Sequence, residues 1–506
     1  MLFNSAPFIL AFLPVVLIGL FLLGKLGRRR LAIAWLVMAS AFFYGWFSLG
    51  YLGLFAVLIL INYALGIRLA GNFRALKQNP YLLAFGIAMN LSVLGYFKYT
   101  NFLIGNVDRV FGTSFVLTSI IIPIGISFFT FQKIAYLVDA YRGEAEEYDL
   151  LEFSLFVMFF PQLIAGPIVH HKEIIPQFRH SDLRLSYADL AAGILLFAVG
   201  MFKKVMIADT VATWSNVVFA AAKSGAPVNC LDAWFGALSF TFQIYFDFSG
   251  YTDMALGLAL MMGIRLPLNF NSPYKSANII DFWRRWHMTL SRFLRDYVYI
   301  PLGGNRRGRG LRYVNLMLTM LIGGFWHGAA WTFVAWGALH GIYLVVNHGW
   351  RSGRELLGLK GDLGVAGRLG ATTLTFLAVT IAWVFFRAES FTAAGAMLKA
   401  MALFGGGTGS MDIRWVAIAG LLGLVWLLPN SQELLARWRP VLGDLNPARL
   451  PGLLRSWGVR TGFTTREGTA ALTGSTGAAT AFVLFGLLVY QALSSTTLQP
   501  FIYFQF

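Results

Sequence analysis

Charge is what this chain has least of: of its 506 residues only 12% are Asp, Glu, Lys or Arg, about half the share of a water-soluble domain. So little charge cannot cover a soluble globular surface. Cysteine is nearly absent as well, and the single Cys230 excludes an intrachain disulfide and any cysteine-based metal cage. The sequence holds no P-loop, dinucleotide fingerprint or nucleophile elbow. It also shows no internal repeat and no pair of broken helices in matching halves, which counts against a secondary transporter.

What fills the chain is apolar: 57% hydrophobic residues and a mean hydropathy of +0.65. Apolar segments run at 7–24, 31–47, 50–67, 81–99, 115–138, 188–208, 231–262, 311–326, 328–347, 367–386, 412–429 and 478–493. A crossing helix needs about 17–25 such residues. The pattern predicts an all-α, polytopic membrane protein, one integral membrane domain over 1–506, with about ten to thirteen crossings. The 231–262 segment reads as two helices or one long bent helix. The N-terminus lacks a basic leader and a cleavage site follows nowhere in 8–23, so the first segment reads as a retained transmembrane helix.

The formal net charge of +17 sits in short clusters between apolar runs. Lys25 with Arg28, Arg29 and Arg30 marks a cytoplasmic loop, which places the N-terminus outside. Arg68, Arg74 and Lys77 fall inside two crossings later, in agreement. The 437–477 stretch, rich in Gly, Thr, Arg and Pro, reads as a flexible cytoplasmic loop. The last helix then exits outward and leaves the aromatic tail 499–506 on the external side. These clusters read as topology determinants and contacts to anionic lipids, not as a nucleic-acid site.

Two stretches fit neither span nor simple loop. Phe159 to His171 contains Pro161, Gly166 and Pro167, and reads as a re-entrant segment that must be walled by protein. The 278–298 stretch, at 100° per residue, aligns Ile279, Trp283, Trp286, Leu290, Leu294 and Tyr297, with Arg284, Arg285, Arg292 and Arg295 opposite. It predicts an amphipathic helix with a cationic face at the cytoplasmic interface, His287 pointing toward protein.

Ionisable groups at membrane depth are costly and usually functional. His327, within Gly323-Gly324-Phe325-Trp326-His327-Gly328-Ala329-Ala330, is such a group, and its small neighbours let a ligand or a backbone come close. Physics alone leaves it open between a reacting group and a histidine bonded to helix backbone. His287 is a weaker candidate, and His340 reads as structural. His170-His171 has no carboxylate or cysteine at ligand spacing, so no metal site is expected. Asp247 and Asp253 read as ion-pair or capping residues as readily as catalytic ones.

Several long motifs, in one order, carry a resemblance. They are Pro123-Ile124-Gly125-Ile126-Ser127-Phe128, Leu163-Ile164-Ala165-Gly166-Pro167, and Tyr245 to Tyr251. Phe282-Trp283-Arg284-Arg285-Trp286-His287 continues through Leu302-Gly303-Gly304-Asn305-Arg306, and Phe325-Trp326-His327-Gly328 follows. The chain resembles the membrane-bound O-acyltransferases, in the bacterial branch that contains the alginate O-acetylation membrane subunit, and is similar to the teichoic-acid D-alanylation subunit. The resemblance implies a helical fold with a central tunnel and a site in the cytoplasmic (inner) membrane. It implies His327 as the near-invariant catalytic histidine, with His287 as a second catalytic position. It also implies an acyl thioester such as acetyl-CoA as donor substrate, with no tightly bound cofactor. Implied partners are membrane lipids, a polysaccharide acceptor such as alginate, and a periplasmic SGNH hydrolase-fold O-acetyltransferase. Peptidoglycan, cellulose or D-alanyl transfer stay open, and a polysaccharide or small-molecule transporter is the non-enzyme alternative. Neutral imidazole suits removal of a hydroxyl proton during attack on a thioester. Arg284, Arg285, Arg292, Arg295, Arg306 and Arg307 are candidates for the anionic donor, or equally for lipid headgroups. The ending Phe501-Ile502-Tyr503-Phe504-Gln505-Phe506 resembles the Phe-x-Tyr-x-x-Phe terminus of the small D-alanylation partner peptide. The resemblance makes Tyr503 a candidate acyl relay; a phenol loses its proton to imidazole more easily than an aliphatic hydroxyl does.

Overall fold

A computed structural model describes residues 1–115, 119–146, 148–180, 186–306, 308–358, 364–403, 412–436, 440–442, 486 and 501–502. Arg307, Tyr503, most of the 437–477 stretch and the 478–493 segment apart from Gly486 lie outside the described residues. Among the described residues the regular structure is helical, with one isolated bridge between Pro267 and Leu442. The fold is all-α, as the apolar pattern predicts. Among the described residues, five helices are long and apolar enough to cross a bilayer: Phe8–Lys25, Leu49–Arg74, Pro80–Phe111, Tyr187–Ser224 and Gly364–Arg387. Their outer faces expose Leu10, Ile18, Leu22, Val57, Leu60 and Leu91. A row of bare apolar side chains of this kind suits lipid, not water.

Several boundaries differ from the hydropathy reading, each for a local reason. Among the described residues of the 115–138 segment, the helix begins only at Ile126 and runs on to Tyr141. Its helix starts after Gly125, whose φ of 74° brings it so close to the chain that a Cβ would lie 2.7 Å from the Leu163 carbonyl. The 188–208 segment runs on as Tyr187–Ser224, with a π-helical turn over Lys203–Ala208. The 231–262 segment is a single helix, Cys230–Met261.

The chain divides into two compact units. The first holds Met1–Phe202, Gly250–Leu268 and described residues from Ser431 on; the second holds Lys203–Ser249 and Asn269–Asn430. In the first, Leu49–Arg74, Pro80–Phe111 and Ile126–Tyr141 pack together. Asn62 and Asn90 bond reciprocally at 3.2 and 2.7 Å between two of these helices, a paired polar contact of the sort membrane helices use. The 159–171 stretch is walled by protein: a one-turn helix Phe160–Leu163 sits in a segment buried from Phe159 through Val169. Asp253 is held by Ser431 and Gln432.

The second unit is organised by a helical hairpin. Arg309–His327 runs antiparallel to Trp331–Leu356, with Arg312 bonded to His348 at 2.8 Å near one end and His327 beside the turn at the other. The two backbones nearly touch at Gly324 and Gly337. A Cβ on Gly324 would meet the Phe333 carbonyl, and one on Gly337 the Met320 carbonyl. Gly364–Arg387 returns alongside, its Trp383 and Phe386 in ring contact with Trp336 at 5.6 and 5.2 Å.

Candidate active site

The amphipathic helix expected at 278–298 is not continuous. It is two short helices, Ile279–Trp283 and Met288–Leu294, separated at His287, whose φ is 42° and ψ 54°. That left-handed conformation is costly for a residue with a Cβ and clusters at functional sites. What holds it is Asn269. The Asn269 carbonyl accepts from Met288 N at 2.9 Å. The Asn269 side-chain Oδ1 accepts from the Thr289 hydroxyl at 2.9 Å and from Thr289 N at 3.4 Å, which caps the second helix from outside.

The same Oδ1 lies 3.1 Å from His287 Nδ1. Because it already takes two protons from Thr289, it is oxygen and not a flipped amide nitrogen, so His287 must donate. His287 therefore carries its proton on Nδ1 and offers a lone pair at Nε2. The side chain is fully buried and lies outside the spanning segments. Burial pushes its pKa down to about 3, because the charged form would lose its hydration. The imidazole is neutral at physiological pH.

His327, the last residue of its helix, is 4% exposed. Its ring meets Trp326 at 4.9 Å, Trp336 at 5.0 Å and Phe386 at 5.2 Å. Trp326 also contacts the His287 ring, at 6.2 Å. The fold thus gathers both sequence candidates, 40 positions apart, into one aromatic cluster. It adds a third, His340, which the sequence left as structural. Trp283 Nε1 donates to His340 Nδ1 at 3.3 Å, so the His340 proton sits on Nε2, the reverse of His287. Among the described residues, His340 Nε2 and Trp336 Nε1 have no hydrogen-bond partner, although both are buried. Trp336 and His340 are one turn apart with rings 4.7 Å apart. Two orphaned N–H donors beside a buried imidazole cost about 1–3 kcal/mol each unless something accepts from them.

Behind Phe386 lies a cavity of about 150 Å³ lined by Asn216, Phe219, Lys223, Arg387 and Glu389, with Ala220 and Ala388 completing the wall. Arg387 donates to Asn216 at 2.8 Å, and Lys223 pairs with Glu389 at 2.6 Å. This cavity could not be read from the sequence, since its residues come from helices more than 160 positions apart.

The other polar candidates separate. Asp247 is held by Lys204 at 2.5 Å, which also binds Asp209 at 2.7 Å, so it serves an ion pair. Arg285 is bonded to Asp281 at 3.0 Å and Arg295 to Asp296 at 2.7 Å. Arg284 and Arg306 are exposed and Arg292 is half-buried. His170 and His171, which lacked a nearby carboxylate in sequence, are joined in the fold by Asp139, 32 residues before His171.

A family model described as MBOAT, membrane-bound O-acyltransferase family, matches residues 82–386, and both candidate histidines lie inside it. The chain belongs to this family. It is 43% identical to the peptidoglycan O-acetyltransferase of Helicobacter pylori, across 79% of this chain and 80% of that protein. It is 44% identical to the probable alginate O-acetylase AlgI of Pseudomonas aeruginosa, across 80% of this chain and 75% of that one. A teichoic acid D-alanyltransferase of Streptococcus thermophilus matches at 32% identity over 45% of this chain and 57% of its own length. The protein is a multi-pass membrane acyltransferase whose substrate is an acyl donor.

Proposed function

We propose that this MBOAT carries an acetyl group from a cytoplasmic thioester, acetyl-CoA, to an exported polysaccharide of the alginate type, from within a bacterial cytoplasmic membrane. The observation that supports it most is the convergence of three neutral-capable imidazoles and two orphaned N–H donors on one buried aromatic cluster. Near-equal identity to relatives named for alginate and for peptidoglycan keeps peptidoglycan as the second acceptor to test.

In this reading the Tyr503 hydroxyl attacks the thioester carbonyl while His327 takes its proton. A C–O bond forms and the C–S bond breaks; the proton passes from His327 to the leaving thiolate, which departs as the free thiol. Trp336 Nε1–H and His340 Nε2–H are the donors proposed to receive the charge that builds on the carbonyl oxygen. His287, holding its proton toward Asn269, presents a lone pair and so acts as an acceptor toward the donor. That tautomer does not suit polarising a carbonyl. The six arginines at 284, 285, 292, 295, 306 and 307 are proposed to meet the anionic donor; Arg284 and Arg306 are the most available. The acetylated tail then hands its ester to a periplasmic SGNH hydrolase-fold transferase, which completes transfer to the sugar. Phe501 and Ile502 are buried, with Phe501 on the Tyr251 ring at 4.4 Å, which supports a tail held by protein and not by lipid.

The test is release of free thiol from radiolabelled acetyl-CoA by proteoliposomes, with mass spectrometry of the C-terminal peptide. His327→Ala is expected to lose about 100- to 10,000-fold in rate, and label is expected on Tyr503 of the wild type alone. Trp336→Phe, which keeps a ring but deletes the donor, is expected to lower kcat with the donor KM held. An unlabelled tail, with full activity in Tyr503→Phe, ends the relay.

A further inference from the structure

The first unit holds a second histidine cluster that the acyl-transfer chemistry does not use. We propose that Asp139, His170 and His171 form a site for one divalent first-row transition ion, zinc in the first instance.

The ligand geometry is the starting point. His171 Nε2 lies 2.9 Å and His170 Nε2 3.3 Å from the same carboxylate oxygen, Asp139 Oδ2. One donor atom from each of the three residues falls within 4.8 Å of the other two. A tetrahedral zinc with bonds of about 2.0–2.1 Å needs donors about 3.3 Å apart. The separations of 2.9 and 3.3 Å are at or slightly below that value, and two imidazoles with one carboxylate is a donor set zinc accepts.

The surroundings also fit. Asp139 and His171 are each 1% exposed. His171 is walled by the rings of Tyr136, Tyr148 and Phe156 at 5.8, 5.6 and 6.4 Å. The second nitrogen, His171 Nδ1, lies 2.8 Å from the Tyr148 hydroxyl. With a metal on Nε2, Nδ1–H donates to that hydroxyl oxygen, the outer contact that orients most metal-binding histidines. Tyr148 is in turn covered by the Arg179 guanidinium at 5.1 Å, and Arg179 is clamped bidentately on Glu152 at 2.9 and 2.8 Å. His170 is the open side, its side chain 21% exposed, so an ion has a route in and a place for a water as fourth ligand.

The position suggests what the ion does. Asp139 lies in the last turn of the Ile126–Tyr141 helix, and the two histidines follow directly on the buried stretch 159–169. A bound ion would tie that non-helical backbone to a packed helix, where each broken backbone hydrogen bond is costly. The role is structural, and it stands whether or not the acyl acceptor is a polysaccharide.

The test uses the full-length protein without a histidine tag, in detergent, stripped with EDTA and reloaded with Zn²⁺ or Co²⁺. About one equivalent per chain is expected by elemental mass spectrometry, with visible Co²⁺ d–d bands and an unfolding temperature that rises on reloading. His170→Ala, at the most exposed ligand, is expected to fold yet lose the Co²⁺ bands and the thermal response. Tyr148→Phe is expected to keep the site with about 10- to 100-fold weaker affinity. Should the stripped and reloaded proteins melt alike, with no stoichiometric zinc and no Co²⁺ spectrum, the cluster is a hydrogen-bonded Asp–His–His pin and the proposal fails.

Discussion

At the scale of single residues, the most consequential feature is where His287 keeps its proton. One residue, Asn269, sets the tautomer and caps a helix through Oδ1 and holds a left-handed backbone through its carbonyl. The His287 pKa, depressed to about 3 in the fold against about 6.5 in an unfolded chain, couples stability to pH. Above pH 6.5 both states are neutral and stability is flat. As pH falls from 6.5 toward 3 only the unfolded chain binds the proton, so stability is lost through that window. His287→Asn is expected to keep the backbone, since Asn tolerates positive φ, and to flatten the decline between pH 6.5 and 5 in thermal melts. An unchanged slope would assign the pH response elsewhere. His287 was legible in the sequence as a polar residue among aromatics. That it points into protein was legible as well; its partner Asn269 was not, because 100° spacing assumes an unbroken helix and the chain leaves the helix at that residue.

At the scale of elements, the hairpin that carries His327 depends on two glycines in backbone contact. Gly324→Ala would drive a Cβ into the Phe333 carbonyl and the Gly337 backbone, neither of which can rotate away. Overpacking of this kind costs about 1–3 kcal/mol. The expected outcome is a lower unfolding temperature together with lost acyl transfer, because the shift displaces His327 relative to Trp336. Gly349→Ala in the same hairpin meets nothing within 4 Å and is expected to leave both unchanged. Small residues around His327 are visible in sequence, where they read as room for a ligand or for another backbone. In the fold Gly324 serves helix contact, and Gly328 lies against the Phe333 ring.

At the scale of the whole molecule, orientation follows from charge at helix ends. Beyond Met261 the chain carries Arg265, Lys275, Arg284 and Arg285, and the positive-inside rule leads us to expect that end of Cys230–Met261 on the cytoplasmic side. The opposite end carries Cys230, the sole cysteine and half-buried. A membrane-impermeant maleimide is expected to label Cys230 in intact spheroplasts. Labelling only after permeabilisation would invert the topology, and with it the side on which acceptor and donor meet the site.

Composition and hydropathy by themselves determined that the chain is helical and lives in a membrane, because a low-charge chain with spans of this length has no other stable solution. Motif order was enough to single out His327 and His287. Only the tertiary structure decided which groups serve them. The Asn269 proton acceptor, the Trp336 and His340 donors, the cavity beside Arg387 and the Asp139 carboxylate between two histidines all depend on side chains brought together from distant segments. Helical periodicity reports which face of one helix is apolar; it holds no information on which face of another helix it will meet.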